Sequence, residues 1–177
     1  MNIQKLKLLV RSSLLITLLA SLAFADHIAV DYDHHANFAR LHTYSWGKVQ
    51  TANSIWDARV KDAIQTQLAA KGWTQVPSGG EVTVMAVERT QVQQQIDTLY
   101  DGFGGRRFFG DFGEATTTVQ NYKVGTLVID MYDTPSKNLI WRGSSSDALS
   151  GNPEKNDKKM HKEVNKMFQH FPPEARS

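Results

Sequence analysis

No cysteine occurs among the 177 residues. That absence excludes disulfides, thiolate metal sites, a cysteine nucleophile and an acyl-carrying lipobox cysteine. Long apolar runs are also missing: the most apolar stretch, Leu14 to Ala25, falls well short of the ~20 residues that a membrane-spanning helix requires. Charge of one sign is missing too, since 20 Lys and Arg face 18 Asp and Glu. Neither a nucleic-acid binder nor a polybasic membrane binder is suggested. With 41% hydrophobic and 21% charged residues, the composition is that of a folded chain, and the length suits one domain.

What is present begins with a targeting pattern. Lys5, Lys7 and Arg11 precede the apolar run Leu14 to Leu22, and Ala23-Phe24-Ala25 offers small residues at the two positions that a signal peptidase accepts. Residues 1–25 are therefore expected to be a cleavable signal peptide, and residues 26–177 a single exported domain. Removing three basic and no acidic residues from the totals of 20 and 18 leaves a net charge of −1.

Beyond the signal, Ile28 to Asp33 alternates as a strand and Thr43 to Trp46 predicts a second. Ser54 with Asp57 three residues on resembles a capping box, and Val60, Ala63, Ile64 and Leu68 carry the apolar stripe of a helix over Ile55 to Lys71. Trp73 to Val76 is a short strand and Val82 to Val87 a central one; Glu88 to Gln95 reads as its solvated end or as a projecting hairpin arm. Asp101 to Ala115, with five glycines and four phenylalanines, is expected to be a loop. Thr116 to Tyr122, Thr126 to Tyr132 and Leu139 to Arg142 complete seven strands, and Gly143 to Gly151 is read as a polar linker. Asn152-Pro153 then opens a second amphipathic helix bearing Met160, Val164, Met167, Phe168 and Phe171. The predicted class is α+β: a two-layer sandwich of an antiparallel or mixed sheet of about seven strands with both helices on one face. A doubly wound sheet would need helices alternating regularly with strands, and only one connection supplies that.

Chemistry-bearing motifs are few. Asp31, Asp33, His34, His35 and His42 are metal-ligand types, but neighbouring residues on a strand point to opposite faces, and solvated or backbone-capping roles fit better. No metal, cofactor or catalytic residue is assigned. Neither a nucleophile elbow nor a phosphate loop occurs, and Ser144-Ser145-Ser146-Asp147 reads as a flexible turn. Trp46, Trp56, Trp73 and Trp141 lie within apolar patterns that suggest packing. The charges of the second helix, Glu163 among them, read as a solvated face. The loop offers the one surface of interest: Phe103, Arg106, Arg107, Phe108 and Phe109 are types enriched at protein interfaces.

An ordered series of motifs adds a resemblance. Val30-Asp31-Tyr32-Asp33 with Asn37-Phe38, Thr43-Tyr44-Ser45-Trp46, Leu68-Ala69-Ala70-Lys71-Gly72-Trp73, Gly125 to Asp130, Leu139 to Gly143, and Phe168 with Phe171-Pro172-Pro173 together resemble the bacterial envelope family called domain of unknown function 4136. The resemblance runs from about Val30 to Pro173. It implies a two-layer α+β domain with no catalytic residues to carry over. Members are typically lipoproteins, a pattern from which this chain departs by lacking the acceptor cysteine. The expected function is thus a noncatalytic exported domain, periplasmic or envelope-associated, that binds a protein or another envelope component. The alternative is a small-ligand carrier or enzyme using the Asp31, Asp33 and His34 region. Partner identity and oligomeric state are not legible in the sequence.

Overall fold

A computed structural model describes residues 27–100 and 115–173, with side chains 95–118 left out of the description. Six strands form one mixed sheet, ordered β1-β6-β5-β4-β2-β3. They are β1 (His27–Tyr32), β2 (Thr43–Gln50), β3 (Thr74–Gln75), β4 (Val82–Tyr100), β5 (Ala115–Asp133) and β6 (Leu139–Ala148). Helices α1 (Ser54–Ala70) and α2 (Pro153–Met167) join a 3-10 turn at Phe38–Arg40. The strands β1, β6, β5 and β4 pair antiparallel, whereas β2 lies parallel to both β3 and β4. A parallel pair needs a crossover connection, and α1 occupies the one between β2 and β4.

The α+β class holds, with six strands where seven are expected. The difference lies in β5, where Thr116 to Tyr122 and Thr126 to Tyr132 are one continuous strand. Gly125 does not break it, because Leu149 fills the space beside the missing side chain: a Cβ there would sit 3.0 Å from Leu149 Cδ2. The linker expected from Gly143 is also strand as far as Ala148. Ser144, Ser145 and Ser146 pair with β1 on one side and β5 on the other. Small side chains let two neighbours and a covering helix approach at once, so these serines are not a flexible turn.

Both helices cover one face of the sheet. Val82, Val84 and Ala86 of β4, Leu127, Ile129 and Met131 of β5, and Trp141 of β6 alternate inward. They meet Val60, Ile64 and Leu68 of α1 and Val164, Met167 and Phe168 of α2 in a single core. Period-two strands facing period-3.6 helices bury one stripe of each, which is the two-layer solution. Trp73 and Trp141 are buried there, while Trp46 and Trp56 are half-buried against it. Gly143 admits the Trp141 ring, since a Cβ would lie 2.5 Å from its Cη2.

Local polar groups set the element ends. The side chain of Asn53, one residue before the expected cap, accepts from the Ile55 and Trp56 amides, and Asp57 is turned back to accept from the Thr51 amide. Asn152 caps α2 by accepting from the Glu154 and Lys155 amides, with Pro153 in the first turn. Between β3 and β4 the chain passes so close to Tyr44 that a Cβ on Gly80 would lie 2.5 Å from its carbonyl carbon. Next to that crossing, Glu81 accepts from the His42 and Thr43 amides and the Thr43 hydroxyl, which holds its carboxyl below the usual range.

Candidate functional site

Three places carry chemistry. The first is the distal half of the β4–β5 hairpin. Pairing of β2 with β4 ends at Gln50 opposite Val87, and pairing of β6 with β5 ends at Val124 opposite Ala148. The hairpin ladder nevertheless continues to Tyr100 opposite Ala115. From Gln91 outward the hairpin is therefore a two-stranded ribbon beyond the sheet, roughly 30 Å long at the usual rise per residue. It exposes Val92, Val119 and Tyr122, and the Tyr122 hydroxyl donates to Gln93 Oε1 at 2.9 Å across the ladder. Glu88 to Gln95 is the continuation of one long strand, with Glu88 to Thr90 still at the edge of the body and Gln91 to Gln95 on the projecting hairpin. The two strands are joined in the sequence by the Gly/Phe/Arg segment. Phe103, Arg106, Arg107, Phe108 and Phe109 all lie outside the described residues, as does the expected loop except for Ala115, the first residue of β5.

The second place is a cavity of about 110 Å³ at the root of that ribbon, between the sheet and both helices. Ladder pairing explains its polarity. Glu88, Leu127 and Ser145 form one inward row across β4, β5 and β6, and Thr90, Gly125 and Asp147 form the next. Glu163 of α2 is 7% exposed and accepts from Ser145 Oγ at 2.8 Å. Lys159 pairs with Asp147. Burial pushes the Glu88 carboxyl up; the Ala52 amide opposes this, while the negative charges of Asp57 and Glu163 add to the rise. Glu163 is thus a buried carboxylate rather than part of a solvated face.

This acidic cluster is the part that the sequence reading missed, though a signal existed. Glu88 continues the parity of Val82, Val84 and Ala86, and Glu163 falls within the stripe of Met160, Val164 and Met167. An ionisable residue in phase with a core pattern is the feature to look for.

The third place is the Asp31, Asp33 and His34 region. Asp31 Oδ1 accepts from the Tyr32 amide, and Asp33 Oδ1 accepts from the His35 amide, closing a turn at the end of β1. The His34 ring packs edge-on to Tyr32 at 4.5 Å. His42 lies apart, its amide bonded to Glu81. Among the described residues, no three His, Asp or Glu side chains are grouped to hold a metal ion. Likewise, no described helix is long and apolar enough to cross a membrane.

Comparison with solved structures returns this fold at low identity. A PDZ domain protein from Parabacteroides distasonis is 13% identical, with a TM-score of 0.53; the match covers 83% of this chain. The chain spans only 35% of the length of that protein. A PelC dodecamer from Paraburkholderia phytofirmans is 11% identical, covering 86% of this chain and 99% of that one, with a TM-score of 0.48. A minor lipoprotein from Acinetobacter baumannii is 8% identical, covering 75% of this chain and 93% of that one, with a TM-score of 0.34. No curated protein sequence matches the chain. A family model, Domain of unknown function (DUF4136), matches residues 28–173, nearly the whole span of the described fold, and the chain belongs to that family.

Proposed function

We propose that this chain is a noncatalytic exported domain of the cell envelope, not lipidated on cysteine, that binds a protein or another envelope component through the β4–β5 ribbon. The observation that carries the reading is the ribbon itself. An isolated two-stranded ladder is marginal in water, and among the described residues this one packs on no third element and exposes Val92 at 65% and Val119 at 52%. Family membership and the N-terminal pattern of Lys5, Lys7, Arg11 and Ala23-Phe24-Ala25 support an envelope address. Asp31 and Asp33 each give one oxygen to a local backbone amide, a structural role that favours binding over chemistry at that region.

The test places a photo-crosslinking residue at Val92 in the native host, with exposed Lys158 on α2 as the control position. Expected are an envelope-fraction adduct from position 92 that position 158 does not give, and a mature chain beginning at Asp26. A cytosolic chain retaining Met1 would end the export reading. Identical adduct patterns from both positions would end the assignment of binding to the ribbon.

A further inference from the structure

The ribbon has two edges, and they are not equivalent. On the β5 side, the Leu149 amide already donates to the Lys123 carbonyl, and Lys123 itself is the kind of charge that guards an edge. On the β4 side, the partner strand stops at Val87 while β4 runs on to Tyr100. No proline occurs in β4 and, among the described residues, no strand pairs with that edge beyond Val87. Among the described residues, the alternate backbone amides and carbonyls that do not face β5 have no strand partner, on a segment containing Val92 and Ile96 among threonines and glutamines. Such an edge is a template for another strand.

Its sequence is also self-complementary. In an antiparallel pair of two β4 edges centred on Gln93, position 89 faces position 97, an arginine opposite an aspartate, and the twofold repeats this pair at the other end. Between them Thr90 faces Ile96, Gln91 faces Gln95 and Val92 faces Gln94. Moving the twofold to Val92 places Arg89 opposite Gln95 and Asp97 opposite Val87, and moving it to Gln94 places Arg89 opposite Leu99 and Asp97 opposite Gln91. Only the Gln93-centred register satisfies both charges, and an isologous contact of this kind closes at two copies.

We propose that the free β4 edge of the ribbon pairs antiparallel with the same edge of a second copy of this chain, with Gln93 on the twofold axis. The inference rests on reading the ribbon as an interaction element, and it names a second copy as the partner of its edge.

The absence of cysteine makes a direct test available. The chain recovered from its host is examined by sedimentation velocity, and Gln93→Cys is oxidised mildly. A dimer is expected, with a disulfide joining position 93 of the two copies. Arg89→Asp sets like charges opposite each other twice and should weaken the dimer by about tenfold or more, while Arg89→Asp with Asp97→Arg restores it. Arg89 is exposed, so the circular dichroism of Arg89→Asp, and its melting at a concentration low enough to keep the chain monomeric, should match the unsubstituted chain. A monomer at ~100 µM, well above the micromolar constants of weak specific contacts, would overturn the proposal. So would a dimer indifferent to Arg89→Asp, or one that Gln93→Cys fails to trap. Adducts from position 92 carrying a different protein, on a chain that sediments as a monomer, would sink the self-pairing and leave the binding reading standing. A dimer with no other adduct would do the reverse to any foreign partner.

Discussion

The two halves of β4 share one hairpin ladder and have opposite surroundings. In the first half, Val82, Val84 and Ala86 are fully buried beneath two helices. In the second half, the strand keeps its pairing with β5 but loses β2 and both helices, and Val92 is 65% exposed. The ladder therefore does not end where the core ends. The body half obeys packing, and its substitutions should register as stability. The ribbon half obeys only cross-strand pairing, and its substitutions should register as interaction. Glu88 stands at the boundary, in the inward parity of the core yet beside a cavity.

The largest effect is expected deep in the body. Trp141 is 1% exposed, and its ring lies 5.0 Å from Phe168 and 5.6 Å from Phe171. Trp141→Ala should cost about 3–5 kcal/mol, lost transfer energy plus a residual cavity, and lower the melting temperature by roughly 10 °C or more. Thermal and denaturant melts would measure it. A loss below about 1 kcal/mol would mean that the aromatic cluster is not the centre of the core.

Next comes Gly143→Ala, in the same region. The new Cβ would meet Trp141 Cη2 at 2.5 Å and Met167 Sδ at 3.0 Å, so the ring or α2 must shift, at about 1–3 kcal/mol. Urea unfolding gives the value. A neutral result would show that α2 slides freely over β6, contrary to the packing described.

Legibility followed the same division. The inward rows of β4 and β5 and the stripes of both helices were readable because apolar spacing reports burial directly. Caps were readable to within a residue: Asn53 and Ser54 are both good N-caps, and composition alone does not choose between them. The β6 extension was not readable, since Gly143-Ser144-Ser145-Ser146 has turn composition, and its strand state comes from neighbours on both sides. The acidic cavity was hidden for the same reason. Glu88 and Glu163 are distant in sequence and meet only because β4, β6 and α2 converge, whereas Asp31 and Asp33, close in sequence, each give one oxygen to a local backbone amide. The contact types of the joining segment, Phe103 to Phe109, lie outside the described residues, whereas the exposure of the ribbon follows from where the pairing of β2 and β6 stops, which no local pattern reports.

At the boundary, the effect is a pH dependence. The folded environment raises the Glu88 carboxyl, chiefly by burial, so the ionised form costs stability at any pH above its folded-state value. As pH falls through that value toward the ordinary carboxylate range, the group protonates and the cost disappears. Glu88→Gln removes the charge at every pH. Its melting temperature should exceed that of the unsubstituted chain near neutral pH, and the gap should close on acidification toward the usual glutamate range. A gap that is constant with pH, or that widens in acid, would show that Glu88 carries no such penalty.

The smallest effect belongs to the ribbon. Val92 contacts no core residue, and Val92→Ser trades an exposed β-branched residue for one of lower strand propensity. The change should stay within about 0.5 kcal/mol, a shift of less than about 2 °C, because no buried area is lost and the ladder with β5 is made by backbone groups. The measurement is a melt at a protein concentration low enough to keep the chain monomeric, set beside Val84→Ser as its counterpart on the same strand. Val84 is fully buried at the centre of the sheet, so its replacement strands a hydroxyl in the core and should cost several times more. Equal losses at the two positions would mean that the ribbon is packed against another part of the chain, and the contrast between the two halves of β4 would then be void.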